Sequence, residues 1–103
     1  MTTHTLEENN GECPVERVLK ALSGKWKPQI FLLATHGAIR FSSLMRQLNG
    51  VNKQSLATAL REMEEEGFLT KIIVSEKPLH IEYILSEKGK SIIPIFKQLD
   101  DFV

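Results

Sequence analysis

Eight basic side chains lie in one stretch of the sequence that contains no acidic residue. The stretch covers residues 17–61, and the thirteen acidic residues of the chain lie before or after it. The chain has no net charge, so this positive charge is a local feature. Clustered Lys and Arg side chains bind a polyanion such as DNA, and a basic surface that contacts only water is the alternative. The eight residues are Arg17, Lys20, Lys25, Lys27, Arg40, Arg46, Lys53 and Arg61.

The stretch ends in a strongly predicted helix over about residues 53–66. Asn52 is a good N-cap residue, and Gly67 stands where a C-terminal cap belongs. Val51 and Leu56 occupy the two positions of a hydrophobic staple, which fixes the direction in which the chain enters a helix. The sequence therefore specifies both ends of this helix.

One face of this helix carries side chains that can contact DNA. Leu56, Leu60 and Met63 form an apolar stripe, which leaves a polar face on the other side. At the N-terminal end, Gln, Ser and Thr side chains can contact base edges and basic side chains can bind phosphate, whereas the acidic residues farther along would be repelled by phosphate. Alternatively, this face contacts only solvent, and Arg61 forms an ion pair with Glu65 instead of binding phosphate. The predicted DNA-binding residues of the helix are Lys53, Gln54, Ser55, Thr58 and Arg61.

Cys13 is the residue with latent redox chemistry and the single cysteine of the chain. A single cysteine excludes an internal disulfide framework. Cys13 precedes Pro14 at the start of a predicted helix, whose dipole and Arg17 favour the thiolate, while Glu12 and Glu16 oppose it. It is a candidate sensor that would react through a bridge across a dimer, a mixed disulfide or an adduct, and packing at an interface is the alternative.

The other residues indicate no metal site, no cofactor and no enzyme. His4, His36 and His80 are scattered along the chain, and no His or acid is spaced to activate Cys13. The N-terminus lacks the apolar run of a signal peptide, and no run is long enough to cross a membrane. We therefore expect a soluble cytoplasmic protein, and 103 residues allow one domain.

Apolar spacing and breaker residues predict five helices and one β-hairpin. Residues 1–12 show no periodic apolar pattern and are predicted to be a flexible tail, or an arm that becomes ordered against a partner. Ser42 or Ser43 is expected to cap the third helix and Ser86 the last one, and Pro94 is expected to bend the last helix or lie near its first turns. The second helix is apolar on all sides, which predicts a place in the core. The helices are predicted at about residues 14–22, 28–34, 44–48, 53–66 and 87–102, and the strands at 69–74 and 80–85, separated by a five-residue loop.

This order of elements predicts a mainly α protein with a small β-hairpin, a winged helix-turn-helix. The last helix carries more apolar side chains than one small core can bury, so we expect a homodimer formed through the terminal helices. Trp26 is expected to pack in the core, and Glu82 to pair with an Arg or Lys. The apolar residues of the last helix and its end are Ile92, Ile93, Ile95, Phe96, Leu99, Phe102 and Val103.

Seven short motifs follow one another along residues 13–103. They are Cys13-Pro14, Leu22-Ser23-Gly24-Lys25-Trp26, Arg40-Phe41, Leu60-Arg61-Glu62-Met63-Glu64, Gly67-Phe68-Leu69, Glu82-Tyr83, and Gly89 with Pro94. Together they resemble the HxlR family, bacterial winged helix-turn-helix transcriptional regulators related in shape to MarR proteins. The hairpin departs from the family pattern, because Lys77-Pro78-Leu79 keeps one of two common prolines and Val74 replaces an aromatic residue.

The resemblance implies that residues 13–103 form an HxlR-type domain. As a homodimer it would bind a pseudo-palindromic operator in double-stranded DNA, with the fourth helix in the major groove and the hairpin as a wing on the flanking backbone or minor groove. Some members are similar to redox or electrophile sensors in which a cysteine at the position of Cys13 reacts.

The third helix of the chain would be the first helix of such a motif, which lies against the DNA backbone, and a wing can add phosphate contacts. The candidate backbone and wing contacts are Arg40, Ser42, Ser43, Arg46, Lys71 and Lys77. We therefore predict a sequence-specific DNA-binding transcriptional regulator, and a repressor because small dimers commonly act by covering a promoter. The alternative is a winged-helix protein-interaction module without specific DNA binding, in which acids would neutralise the basic stretch in space.

Overall fold

The structure is a computed structural model that describes the backbone of residues 14–100 and the side chains of residues 16–98. The predicted tail, Cys13, the Leu99 side chain, Phe102 and Val103 lie outside the described residues. Six helices and two strands follow one another in the described part. They are α1 (Pro14–Ala21), α2 (Lys27–Ala34), α3 (Phe41–Gln47), α4 (Lys53–Glu65), β1 (Leu69–Glu76), β2 (Leu79–Leu85), α5 (Glu87–Ser91) and α6 (Ile93–Asp100).

Helix α4 begins and ends as its sequence predicts. The Asn52 side chain accepts a hydrogen bond from the backbone N–H of Ser55 at 2.7 Å, which satisfies one of the free donors of the first turn. Gly67 adopts a φ of 88°, and the N–H of Phe68 donates to the carbonyl of Met63 at 2.9 Å, as in a Schellman motif. Local chemistry therefore fixes the length of this helix.

The core lies beneath α4 and reaches the base of the hairpin. Leu56, Leu60 and Met63, the predicted apolar stripe, are fully buried. They pack in one cluster with Ile30 and Phe31 of α2, with which α4 is in contact. Helix α2 does not lie wholly in the core, because its Leu32 side chain is 57% exposed.

The hairpin is tighter than predicted. Its strands continue through Ser75 and Glu76 and resume at Leu79, so a two-residue turn at Lys77 and Pro78 replaces the expected five-residue loop. A bulge between Ile73 and Ser75 lets the strands stay paired to this turn. Because β1 ends in polar residues, the pattern of apolar residues in the sequence did not indicate where the strand ends.

A single residue before α3 joins the hairpin to the helices. Ile39 and Tyr83 exchange two backbone hydrogen bonds of 2.9 and 2.8 Å, so the chain is extended when it enters α3. Helix α3 therefore starts at Phe41 with Arg40 as its N-cap residue. The prediction that Ser42 or Ser43 caps this helix is wrong, because both residues lie inside its first turn.

The predicted terminal helix is divided into α5 and α6. Ile92 ends α5, and Pro94 lies in the first turn of α6, where a missing N–H costs no hydrogen bond. The Ser86 side chain accepts a hydrogen bond from the N–H of Gly89 at 3.0 Å and also donates to the carbonyl of Gly67. The predicted Ser86 cap is thus confirmed, and it also links α5 to the end of α4.

Helix α5 packs closely against the residues that follow α4. A side-chain carbon at Gly89 would lie 2.5 Å from the backbone oxygen of Phe68, so this position has no room for a larger residue. Lys88 donates to the carbonyl of Glu66 at 2.8 Å, and its ammonium lies 4.9 Å from the centre of the Phe68 ring. These contacts hold the C-terminal end of α4.

No helix in the described part of the chain combines the length and apolar character needed to cross a membrane.

Candidate nucleic-acid interface

The exposed N-terminal half of α4 carries the predicted DNA-binding side chains. Lys53 and Gln54 are exposed in the first turn, and Ser55 and Thr58 are partly exposed beside them. Arg61 is exposed one turn farther along, and within the described residues it forms no salt bridge. The alternative ion pair between Arg61 and Glu65 is therefore absent, which leaves the guanidinium available to an anion.

Helix α3 adds a second polar surface next to α4. The two helices are in contact and are joined by a short turn, as in a helix-turn-helix. Arg40, Ser42 and Arg46 are exposed, and Ser43 is partly exposed. A long hydrogen bond of 3.5 Å from Arg46 to the Ser43 hydroxyl holds that guanidinium near the helix surface.

The loop between α1 and α2 also borders the polar face of α4. A groove of about 520 Å³ separates them, and its walls include Lys25 and Trp26 from the loop and Gln54, Ser55 and Thr58 from α4. Trp26 is partly buried and packs against the core cluster, in agreement with its prediction. Helix periodicity cannot indicate that this loop adjoins α4, so Lys25 was not among the predicted site residues.

The C-terminal half of α4 lies near three other cations of the basic stretch, Arg17, Lys20 and Lys27. The Lys27 ammonium lies 2.6 Å from a Glu62 carboxylate oxygen. The hydrogen bond from Lys27, followed by its charge, lowers the pKa of Glu62 below its ordinary value.

Beside this pair lies a cavity of about 440 Å³. Its lining includes Arg17 and Lys20 of α1 and Glu65 and Glu66 at the end of α4, together with the Lys27–Glu62 pair. Lys27 therefore pairs with a carboxylate, Arg17 and Lys20 share a cavity with two others, and the charge of Arg61 also acts on Glu62. The positive surface is smaller than the sequence indicates, and it consists of Lys25, Arg40, Arg46, Lys53 and Arg61.

The hairpin carries its two predicted cations at different places. Lys77 is exposed in the turn, whereas Lys71 is exposed in β1 opposite Tyr83, about 20 Å away by the rise of a strand. Burial raises the pKa of Tyr83, whose side chain is partly buried against the core. Glu82 pairs with His80 at 3.0 Å, so the prediction that an Arg or Lys pairs with it is wrong.

The described residues contain no group of three or more His, Cys, Asp or Glu side chains arranged to hold a metal ion. The cavity beside α4 is open and lined mainly by charged side chains, and the groove is open and lined by a mixture of charged, polar and apolar side chains. Open sites of this kind suit contact with a surface rather than enclosure of a small substrate.

The sequence matches the model of the HxlR-like helix-turn-helix family over residues 21–103. The chain belongs to this family. An uncharacterized HTH-type transcriptional regulator of Methanothermobacter thermautotrophicus is 37% identical over 87 residues, 84% of this chain but only 66%, just under two thirds, of the relative. The uncharacterized HTH-type transcriptional regulator YtcD of Bacillus subtilis is 35% identical over 94 residues, 91% of this chain and 75% of the relative.

A solved structure has the same fold. It is the redox regulator HypR in its reduced form, which superposes with a TM-score of 0.80 at 31% identity and covers 87% of this chain and 89% of that one. The predicted winged helix-turn-helix and its HxlR-like membership are thus confirmed. The chain is a DNA-binding transcriptional regulator, in which α3 and α4 form the helix-turn-helix and the β1–β2 hairpin forms the wing.

Proposed function

We propose that the protein is a repressor that binds a pseudo-palindromic operator as a homodimer, with α4 in the major groove. The observation that carries this proposal is the capped N-terminal half of α4, which presents exposed amide, hydroxyl and basic groups together. Gln54 would contact base edges with Ser55 and Thr58 beside it, and Lys53 and Arg61 would bind phosphates. The distribution of acids supports the same orientation, since they lie toward the other end of the helix.

The contacts to the flanking backbone would come from α3 and the wing. Arg40 and Arg46 are exposed cations, and Ser42 and Ser43 offer hydroxyl groups on the same short helix. Lys77 in the turn would bind a phosphate beyond the major groove. Because Lys71 lies far from that turn, it would contact a different phosphate.

A homodimer is supported by apolar side chains that the described residues leave uncovered. Leu19 of α1, Leu32 of α2 and Ile95 of α6 are each more than half exposed. Between α2 and α6 lies a groove of about 310 Å³ whose floor includes Phe31 and Phe96, with ring centres 5.1 Å apart. An apolar surface of this kind commonly packs against a second subunit.

Sedimentation of the protein at micromolar concentration tests the dimer. We expect twice the monomer mass, and a Leu32→Ser variant should shift the equilibrium toward the monomer while its helical content stays unchanged. A monomer in the unsubstituted protein would contradict the proposal.

We also propose that Cys13, which precedes Pro14 in the sequence, makes DNA binding sensitive to oxidants or electrophiles. HypR, a relative of similar fold, is a redox regulator, which supports this part. Residues 13–103 would form an HxlR-type winged helix-turn-helix domain and residues 1–12 a flexible tail, in a cytoplasmic protein without enzymatic activity. Treatment with a mild oxidant should weaken operator binding, and a Cys13→Ser variant should bind DNA but no longer respond.

Operator binding is tested with a DNA fragment from the region upstream of the protein's own gene. Affinity for this fragment should exceed affinity for a random fragment and fall steeply between about 50 and about 200 mM salt. Gln54→Ala should reduce discrimination between the two fragments by about 1–3 kcal/mol, whereas Lys77→Ala should weaken both alike. An equal loss on both fragments for Gln54→Ala would exclude base contacts by Gln54.

One observation favours a second function, a module that binds another protein. The pair between Lys27 and Glu62 is a neutralisation of the kind that this alternative predicts, although it affects only part of the basic stretch. Equal, salt-independent and weak binding to every DNA fragment would support the alternative.

A further inference from the structure

We infer that Lys25, in the loop between α1 and α2, binds a DNA phosphate beside α4, and that Trp26 holds it in position. This inference rests on the proposed entry of α4 into the major groove. The major groove of DNA is about 12 Å wide, and a helix with its side chains is about 10–12 Å in diameter, so α4 would nearly fill the major groove. A group that flanks the N-terminal half of α4 therefore meets sugar and phosphate rather than bases.

The loop that carries Lys25 is fixed by hydrogen bonds on both sides. The Ser23 hydroxyl donates to the carbonyl of Lys20 at 2.8 Å, and the Gln29 amide donates to the carbonyl of Lys25 at 3.0 Å. Gly24 adopts a φ of 107°, which a residue with a side chain rarely adopts. Lys25 therefore projects from a defined backbone, and little order would be lost when it binds a phosphate.

The ammonium of Lys25 lies 4.9 Å from the centre of the Trp26 ring. Such a cation–π contact restrains the side chain without neutralising its charge. Since the Trp26 ring packs against the core, it gives the ammonium a fixed support at the edge of the groove that Lys25 shares with Gln54 and Thr58.

Lys27, on the other side of Trp26, differs from Lys25 in its electrostatic surroundings. Lys27 is largely buried and pairs with Glu62, whereas Lys25 is exposed and forms no salt bridge within the described residues. Of the two lysines that flank Trp26, Lys25 thus keeps the charge that a phosphate requires. No described residue of α3 lines this groove, so the contact would be independent of Arg40 and Arg46.

The test compares Lys25→Ala with Lys20→Ala, a matched control five residues earlier on the acid-lined side of α4. Operator affinity is measured for each full-length variant over a range of salt concentrations. Because the proposed dimer would lose one phosphate contact in each subunit, the slope of log K against log salt should fall by about 1.8, which corresponds to about a thirtyfold loss at 0.15 M salt. The loss should be equal on operator and random fragments, Lys25→Arg should restore the slope, and Lys20→Ala should leave it unchanged.

Trp26 supplies a second measurement because it is the single tryptophan of the chain. Binding of the operator should protect its fluorescence from quenching by acrylamide, a neutral probe. An unchanged slope for Lys25→Ala, or unchanged quenching of Trp26 in a saturated complex, would overturn the inference while leaving operator binding by α4 intact. Failure of the unsubstituted protein to bind the operator would instead contradict the proposed function itself.

Discussion

Removal of the Asn52 side chain should weaken both the fold and specific DNA binding. Its oxygen accepts the hydrogen bond from the Ser55 N–H at 2.7 Å, and Asn52→Ala leaves that donor to water. Because the position is exposed, water can replace the cap in part, and we expect a loss of about 1 kcal/mol in the free energy of unfolding. For a domain of this size, such a loss lowers the melting temperature by roughly 4–8 °C.

Urea denaturation followed by circular dichroism measures this loss, at one fixed protein concentration because a dimer is stabilised by mass action. Ser42→Ala is the matched control, because serine is a common N-cap residue but Ser42 lies inside α3 and does not cap it. It should change the stability by less than about 0.5 kcal/mol. Asn52→Asp should keep the cap and most of the stability.

The same substitution frays the turn that carries Lys53, Gln54 and Ser55. Operator affinity should therefore fall more than affinity for random DNA, since base contacts need a fixed helix and phosphate contacts tolerate movement. If Asn52→Ala and Ser42→Ala have the same denaturation midpoint, the cap does not stabilise α4 and the reasoning is refuted.

Two further substitutions test how α4 is held in place. Gly89→Ala would bring a carbon to 2.5 Å from the Phe68 oxygen, which already accepts a hydrogen bond from the N–H of Ser86. Overpacking should cost about 1–3 kcal/mol, which exceeds the helix-propensity gain of about 1 kcal/mol. We therefore expect the denaturation midpoint to fall. The pair with Lys27 lowers the pKa of Glu62, so its stabilising effect is fully present above the ordinary glutamate pKa of 4.5 and is lost as the pH falls through the lowered value. The stability difference between the unsubstituted protein and Glu62→Gln should therefore shrink as the pH is lowered, and a constant difference would contradict the pair's contribution.

Helix α4 was predictable because local chemistry determines it. The Asn52 cap, the Gly67 terminus and the apolar stripe lie within sixteen residues of sequence, so each can be recognised without knowing its distant partners. The start of α3 was not predictable in this way. It depends on the pairing of Ile39 with Tyr83, 44 residues later in the sequence, which keeps the chain extended up to Arg40.

The charge pattern around α4 could be predicted only in part. The sequence separates acids from bases along the chain, but the approach of Lys27 to Glu62 follows from the packing of α2 against α4. The placement of Lys25 beside Gln54 likewise depends on how a loop folds over a helix. No periodic pattern in the sequence predicts such contacts, and a resemblance to a family does not specify them residue by residue.

The division of charge along α4 favours one way of meeting DNA. At the N-terminal half, Lys53 and the loop residue Lys25 would attract phosphates, whereas Glu65 and Glu66 at the other end would repel them. A helix with such an asymmetry is expected to enter the major groove with its first turns deepest and its end tilted away from the backbone. Since the chain has no net charge, attraction to DNA in general should be modest, and each defined contact then accounts for a larger share of the affinity for the operator.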